Sequence, residues 1–216
     1  MTGAEGLADL AAGLASGRGR ALLGVAGVPG AGKSTLAAAL VARLCARHGD
    51  AWAVQVPMDG FHLADVQLDR LGRRDRKGAP DTFDALGYAA LLRRLREDVE
   101  DDVYAPGFER DLEQPIAGAV VVPAGARVVV TEGNYLLLDR PEWRVAREAL
   151  DEVWFVDEDR DVWWDRLLAR HVAFGKDPDE ARAWMAAVDE PNADAVREGA
   201  DRADRRVVAV DGGWRL

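Results

Sequence analysis

Two periods alternate along this chain. Short, unbroken apolar runs at 21–26, 52–56, 127–131, 153–157 and 206–210 have the length and β-branched content of buried strands. Between them, 33–48, 84–98, 142–149, 159–173 and 178–200 carry helical patterns, the last predicted to break at Pro191. Strand and helix alternating in this way is the βαβ signature of a parallel sheet covered on both faces. The pattern therefore predicts an α/β fold with a five-stranded parallel sheet. Met1 to Ser16 places Leu7, Leu10 and Leu14 at helical spacing and reads as an amphipathic helix. Its Glu5 and Asp9, with no basic stretch before them, argue against a signal peptide. An irregular stretch, 99–125, separates the second and third strands. Val103-Tyr104 and Ala119-Val120-Val121-Val122, set among Pro106, Gly107, Pro115 and Pro123, predict a small hairpin or flap. The whole, 1–216, reads as a single domain carrying that insertion.

Across the first strand–helix junction runs Gly27-Val28-Pro29-Gly30-Ala31-Gly32-Lys33-Ser34, which fits Gly-x-x-x-x-Gly-Lys-Ser/Thr. An apolar strand before it and strong helix formers from Thr35 onward supply the context this motif needs. Glycines let backbone N–H groups point inward, the helix N-terminus adds a positive dipole end, and Lys33 adds a full charge. Ser34 offers a hydroxyl to a phosphate-bound Mg²⁺. A phosphate cradle running from Gly27 to Thr35 follows, and with it a P-loop NTPase fold that uses ATP and Mg²⁺. Only three lysines occur in the chain, and one of them stands here.

Composition narrows the partners. A net charge of −10 argues against a nucleic-acid duplex, whose phosphates need a basic face. No apolar run approaches the ~20 residues of a membrane-spanning helix. Cys45 is the sole cysteine and lies on an apolar helix background, so it reads as packing. No disulfide can form within the chain, which fits a cytoplasmic protein, monomer or homodimer.

Three further clusters follow predicted strand ends, where open α/β sheets place their ligands. Asp59, in Met58-Asp59-Gly60-Phe61-His62, can face the terminal phosphate and accept a hydroxyl proton; Asp-Gly is also an ordinary turn signal. Glu132 closes a valine-rich strand, the position of a Walker-B-type acid for Mg²⁺, or of a solvated strand-end glutamate. Arg166 and Arg170 share a helix face, with Lys176 beyond a glycine. They suit either a mobile lid at 166–176 that meets phosphoryl charge or a solvated helix face.

Together these residues resemble a known group. The P-loop, Met58 to Leu63, Gly78-Ala79-Pro80-Asp81-Thr82-Phe83-Asp84, Tyr104 to Arg110 and Thr131-Glu132-Gly133-Asn134 occur in one order. That order is similar to the phosphoribulokinase, uridine kinase and bacterial pantothenate kinase family, especially its short nucleoside kinase-like or fructose-transport-associated members. The resemblance spans roughly 20–210. It implies ATP-dependent phosphoryl transfer to a hydroxyl of a small metabolite, with Lys33, Asp59, Arg166 and Arg170 catalytic and Glu132 beside Mg²⁺. It also implies that Asp81 and Asp84 contact the acceptor and that Tyr104, Phe108 and Arg110 line its pocket. Asp84 serves equally well as a helix N-cap. His62 either touches substrate or caps the next turn, His171 reads as a surface residue of the lid helix, and Asn192 either approaches adenine or marks a turn. The Tyr-Asp-His stretch of uridine kinases is absent, with Ala105-Pro106-Gly107-Phe108-Glu109-Arg110 in its place. An alternative remains open: a P-loop ATPase or nucleotide-binding regulator with no small-molecule acceptor.

Overall fold

The computed structural model describes residues 3–17, 19–210 and 213–216. Its strands are β1 (Ala21–Ala26), β2 (Ala53–Pro57), β3 (Val103–Glu109), β4 (Gln114–Val122), β5 (Val128–Gly133), β6 (Glu152–Asp157), β7 (Arg205–Val210) and β8 (Gly213–Arg215). Its α-helices are α1 (Ala4–Leu14), α2 (Lys33–His48), α3 (Asp65–Leu71), α4 (Ala85–Glu97), α5 (Pro141–Glu148), α6 (Arg160–Ala173), α7 (Pro178–Trp184) and α8 (Glu190–Arg197).

The main sheet runs β2-β5-β1-β6-β7-β8. Its first five strands are parallel, as the apolar runs predict. The three-residue β8 adds an antiparallel edge that the pattern does not foresee, because so short a segment carries no period. Every position of β1 and β5 is buried. Successive side chains point to opposite faces of a sheet, so helices must cover both. The predicted helix over 1–16 appears as α1, which buries Leu7, Ala8 and Ala11; Met1 and Thr2 lie outside the described residues. Towards the C-terminus the predicted break shifts. A π-helical turn, Met185–Asp189, separates α7 from α8 with the backbone staying helical, and Pro191, which has no N–H to give, follows it directly.

Register decides where the chemistry gathers. Ala26 of β1 pairs with Gly133, and Pro57 of β2 pairs with Glu132, so β1, β2 and β5 end level with one another. The loops that follow open on one crevice, at the point where strand order reverses. β3 and β4 form a separate antiparallel hairpin whose register slips between Ala105 and Gly107, around Pro106, which has no N–H for the ladder. The Pro106 carbonyl presses on the turn after β2, where a Cβ on Gly60 would stand 2.3 Å from its oxygen. Below β1, the Arg20 guanidinium is 1% exposed and donates to the carbonyls of Leu95, Asp98, Pro123, Ala124 and Ala126.

Candidate active site

Three glycines shape the turn after β1. Gly27, Gly30 and Gly32 hold φ of 156°, 83° and 85°, values that side chains resist. A Cβ on Gly27 would also meet the Val156 carbonyl oxygen at 2.9 Å. Lys33 opens α2 and is 7% exposed, with Nζ donating to the Val28 carbonyl at 2.8 Å. Burial pushes its basicity down to about 8, against the pull of Glu132 and Asp59. Ser34 Oγ donates to Glu132 Oε1 at 3.1 Å. Burial and the neighbouring Asp59 raise the buried Glu132 carboxyl above the usual range. Behind it, Tyr88 donates to the Thr131 hydroxyl, which donates to the Val56 carbonyl, both at 2.6 Å, tying α4 to β5 and β2.

Asp59 stands in a single 3₁₀ turn, Met58–Phe61, directly after β2. Its Oδ2 accepts from Arg110 Nη2 at 2.8 Å, so the hairpin reaches over to this carboxylate. The Asp59 carbonyl accepts both the His62 backbone N–H and the His62 Nδ1–H. His62 thus caps the turn and also lines the cavity, its ring against Phe83 and Phe108 at centroid distances of 4.0 and 4.8 Å. Burial lowers its basicity, against the pull of Asp59.

One cavity of about 1110 Å³ joins these groups. Pro29 to Thr35, Asp59, His62, Phe108, Arg110 and Glu132 line it, together with Arg166, Arg170, Lys176 and Asn192. Trp214 from the unforeseen β8 also lines the cavity. That is room for a nucleotide and a small acceptor together. Arg166 pairs with Glu158 at 2.5 Å, and the charge of Arg170 is felt at Lys33. α6 packs against the phosphate loop, where Trp163 Nε1 donates to the Pro29 carbonyl at 2.5 Å. His171, expected on the surface, is instead half-buried in the cavity wall, its Nε2 2.7 Å from Asp189 of the π turn.

Not every expected residue arrives. Asp81 is held outside the cavity by Arg76 at 2.9 Å and Arg73 at 3.4 Å, and the Arg76 guanidinium keeps its carboxyl below the usual range. Asp84 caps α4, accepting the Gly87 N–H at 2.8 Å. Tyr104 is 60% exposed on the hairpin, away from the cavity. Gly27 and Val28 lie behind its wall, with the Val28 carbonyl holding Lys33. From the same expected segment, Gly78 and Phe83 do face the cavity. Sequence reasoning overlooks Arg74, Lys77 and Trp214. The scarcity of lysine was the one available signal, and it points to Lys77.

The family described as Phosphoribulokinase / Uridine kinase matches residues 22–207. The Aspergillus versicolor ATP-dependent kinase-like protein notR' is 41% identical over 133 residues, 58% of this chain and 77% of that protein. Escherichia coli K12 YggC is 37% identical over 169 residues, 78% of this chain and 69% of that protein. A crystal structure from Silicibacter sp. TM1040, described as a "putative fructose transport system kinase", superposes with a TM-score of 0.83 at 37% identity. It covers 93% of this chain and 98% of that one.

Proposed function

The chain belongs to the phosphoribulokinase/uridine kinase family, and from that premise we propose that it transfers the terminal phosphoryl group of ATP to a hydroxyl of a small metabolite. In this reading Lys33 and the backbone N–H groups of Gly30 to Thr35 bind the phosphates, and Arg166 and Arg170 meet charge on the transferred group. Asp59 takes the acceptor's proton while Arg110 fixes the carboxylate's orientation. His62, Phe83 and Phe108 exclude water from the acceptor side. Ser34 and Glu132 would hold Mg²⁺: a hydroxyl and a buried carboxylate 3.1 Å apart beside the cradle fit a cation that takes one or two protein oxygens and otherwise phosphates and water. Bound there, it would neutralise charge on the phosphate oxygens. A cytoplasmic location completes the reading, supported by Cys45 being the sole cysteine.

The observation that carries the proposal is Asp59 itself. Its carboxylate shares the cavity with Lys33 and Glu132, yet projects from a different strand end and is held by the hairpin's Arg110. A nucleotide switch has no use for a second carboxylate so placed. The test incubates the protein with Mg·ATP against a panel of nucleosides, sugars and vitamin alcohols and scores ADP release. The expected result is slow release without acceptor and a sharp rise with one of them. A basal rate that no acceptor raises would favour an ATPase or nucleotide-binding regulator.

A further inference from the structure

All three lysines of this chain, against 25 arginines, line the same cavity. Lys33 belongs to the phosphate loop, and Lys176 faces the Trp184 ring at 4.8 Å on the lid side. Lys77 has no part in either. Its Nζ donates to Asp65 Oδ1 at 2.7 Å and to the Glu113 carbonyl, and lies 5.6 Å from the centre of the Phe108 ring. Arg74 pairs with the other oxygen of the same Asp65 carboxylate, so two cations share that group, with the Glu113 charge also acting on Lys77. Over the same Phe108 ring, at 5.1 Å, stands Arg110, which is paired with Asp59. Arg74, Lys77 and Arg110 therefore cluster around Phe108 and His62, on the Asp59 side of the cavity.

Arg74 and Arg110 are half exposed, so the member of this cluster that is costly to place around a neutral ligand is Lys77. The Lys77 side chain is only 16% exposed, and burial lowers its basicity. A polyol needs no ammonium; hydroxyls and amides hold it at less cost in desolvation. Elsewhere the chain takes its positive charge almost wholly from arginine, a planar fork suited to carboxylate pairs. Lysine is a compact point charge, suited to an anion that arrives from solution. Over the whole cavity seven lysines and arginines face four carboxylates, in a protein of net charge −10. We infer that the acceptor carries, besides the hydroxyl that is phosphorylated, an anionic group (a phosphate or a carboxylate) received by Lys77 with Arg74 and Arg110. This inference rests on the kinase reading above.

The experiment extends the acceptor panel to matched sets: each neutral compound, its phosphate ester and its carboxylate derivative, at saturating Mg·ATP. In at least one set an anionic member should exceed its neutral parent in kcat/KM by about 100-fold or more, because a site built around a charge rejects the ligand that lacks it. Lys77→Met should raise that acceptor's KM about 10-fold or more, leave the KM for ATP within about 2-fold, and be partly rescued by Lys77→Arg. The ester and carboxylate arms separate the two sources of the anion. Preference for neutral acceptors, or an equal effect of Lys77→Met on neutral and anionic members, would overturn the inference and leave the kinase reading standing. Stimulation by no acceptor at all would overturn both. A second measurement needs no acceptor. With Mg²⁺ and a non-hydrolysable ATP analogue filling the cradle, inorganic phosphate should raise the melting temperature of wild type further, but not that of Lys77→Met. No such increment in wild type would also count against the anion site.

Discussion

At Asp59 one carboxylate has two partners to serve. Arg110 takes Oδ2 at 2.8 Å, which fixes the plane of the group and leaves Oδ1 for a hydroxyl proton. Asp59→Asn keeps the shape and removes the base, so kcat should fall by ~10²–10⁴-fold while ATP affinity barely changes. Turnover measured beside a fluorescence titration of ATP checks this; parallel losses in both would move Asp59 to the metal. Asp84 gives the opposite expectation. As an exposed N-cap of α4, its replacement by alanine should cost about 1 kcal/mol of stability and leave the acceptor's KM unchanged. Denaturant unfolding and acceptor kinetics on one preparation decide it, and a raised KM would return Asp84 to the pocket. The contrast marks what a sequence makes legible. Lys33, Ser34 and Glu132 can be read because strand ends and a glycine turn fix where their side chains must go. Asp81 and Asp84 share an equally suggestive segment, but nothing local reveals that Arg73 and Arg76 claim one while the Gly87 N–H claims the other.

Elements divide in the same way. Parallel strands buried on both faces write continuous apolar runs, and β1, β2, β5, β6 and β7 fall where those runs lie. Position 191 suggests a break because proline disrupts helix interiors; the irregularity is instead a π turn directly ahead of it, through which the backbone stays helical. Least legible is the tether between α6 and the phosphate loop. Trp163 donates across 134 positions to the Pro29 carbonyl, while Arg197 of α8 stacks on the same indole at 4.7 Å. The loop's shape is thereby shared with the two helices that carry Arg166, Arg170 and Asn192. Trp163→Phe keeps most of the packing and removes the donor, a loss of about 0.5–1.5 kcal/mol. If that bond presets the loop for phosphate, ATP affinity should fall by roughly 3- to 10-fold, as read by calorimetry. A lower melting temperature with unchanged affinity would reduce Trp163 to packing.

Across the whole molecule, Arg20 is a buried polar joint between distant segments. Its guanidinium gathers five carbonyls from the end of α4 and from the turn between β4 and β5, beneath the strand that leads to the phosphate loop. Arg20→Met would leave those carbonyls short of donors in a buried place. A destabilisation of about 3 kcal/mol or more is expected, lowering the melting temperature of a protein this size by about 6 °C or more. Scanning calorimetry would show it, and a shift within about 1 °C would mean that water replaces the guanidinium. The lysines have a consequence of another kind. An amine-directed acylating reagent ignores guanidinium, so the only side chains it can modify here all face one cavity. Lys33, its basicity lowered to about 8, should offer the most nucleophilic amine of the three once the cradle is open. Peptide mapping after brief acylation should therefore act as a footprint of occupancy, with ATP shielding Lys33 and an acceptor shielding Lys77. Cradle, acceptor side and lid side of the cavity thus each carry a chemical tag, and a ligand can be located by the amine it silences before it has been identified.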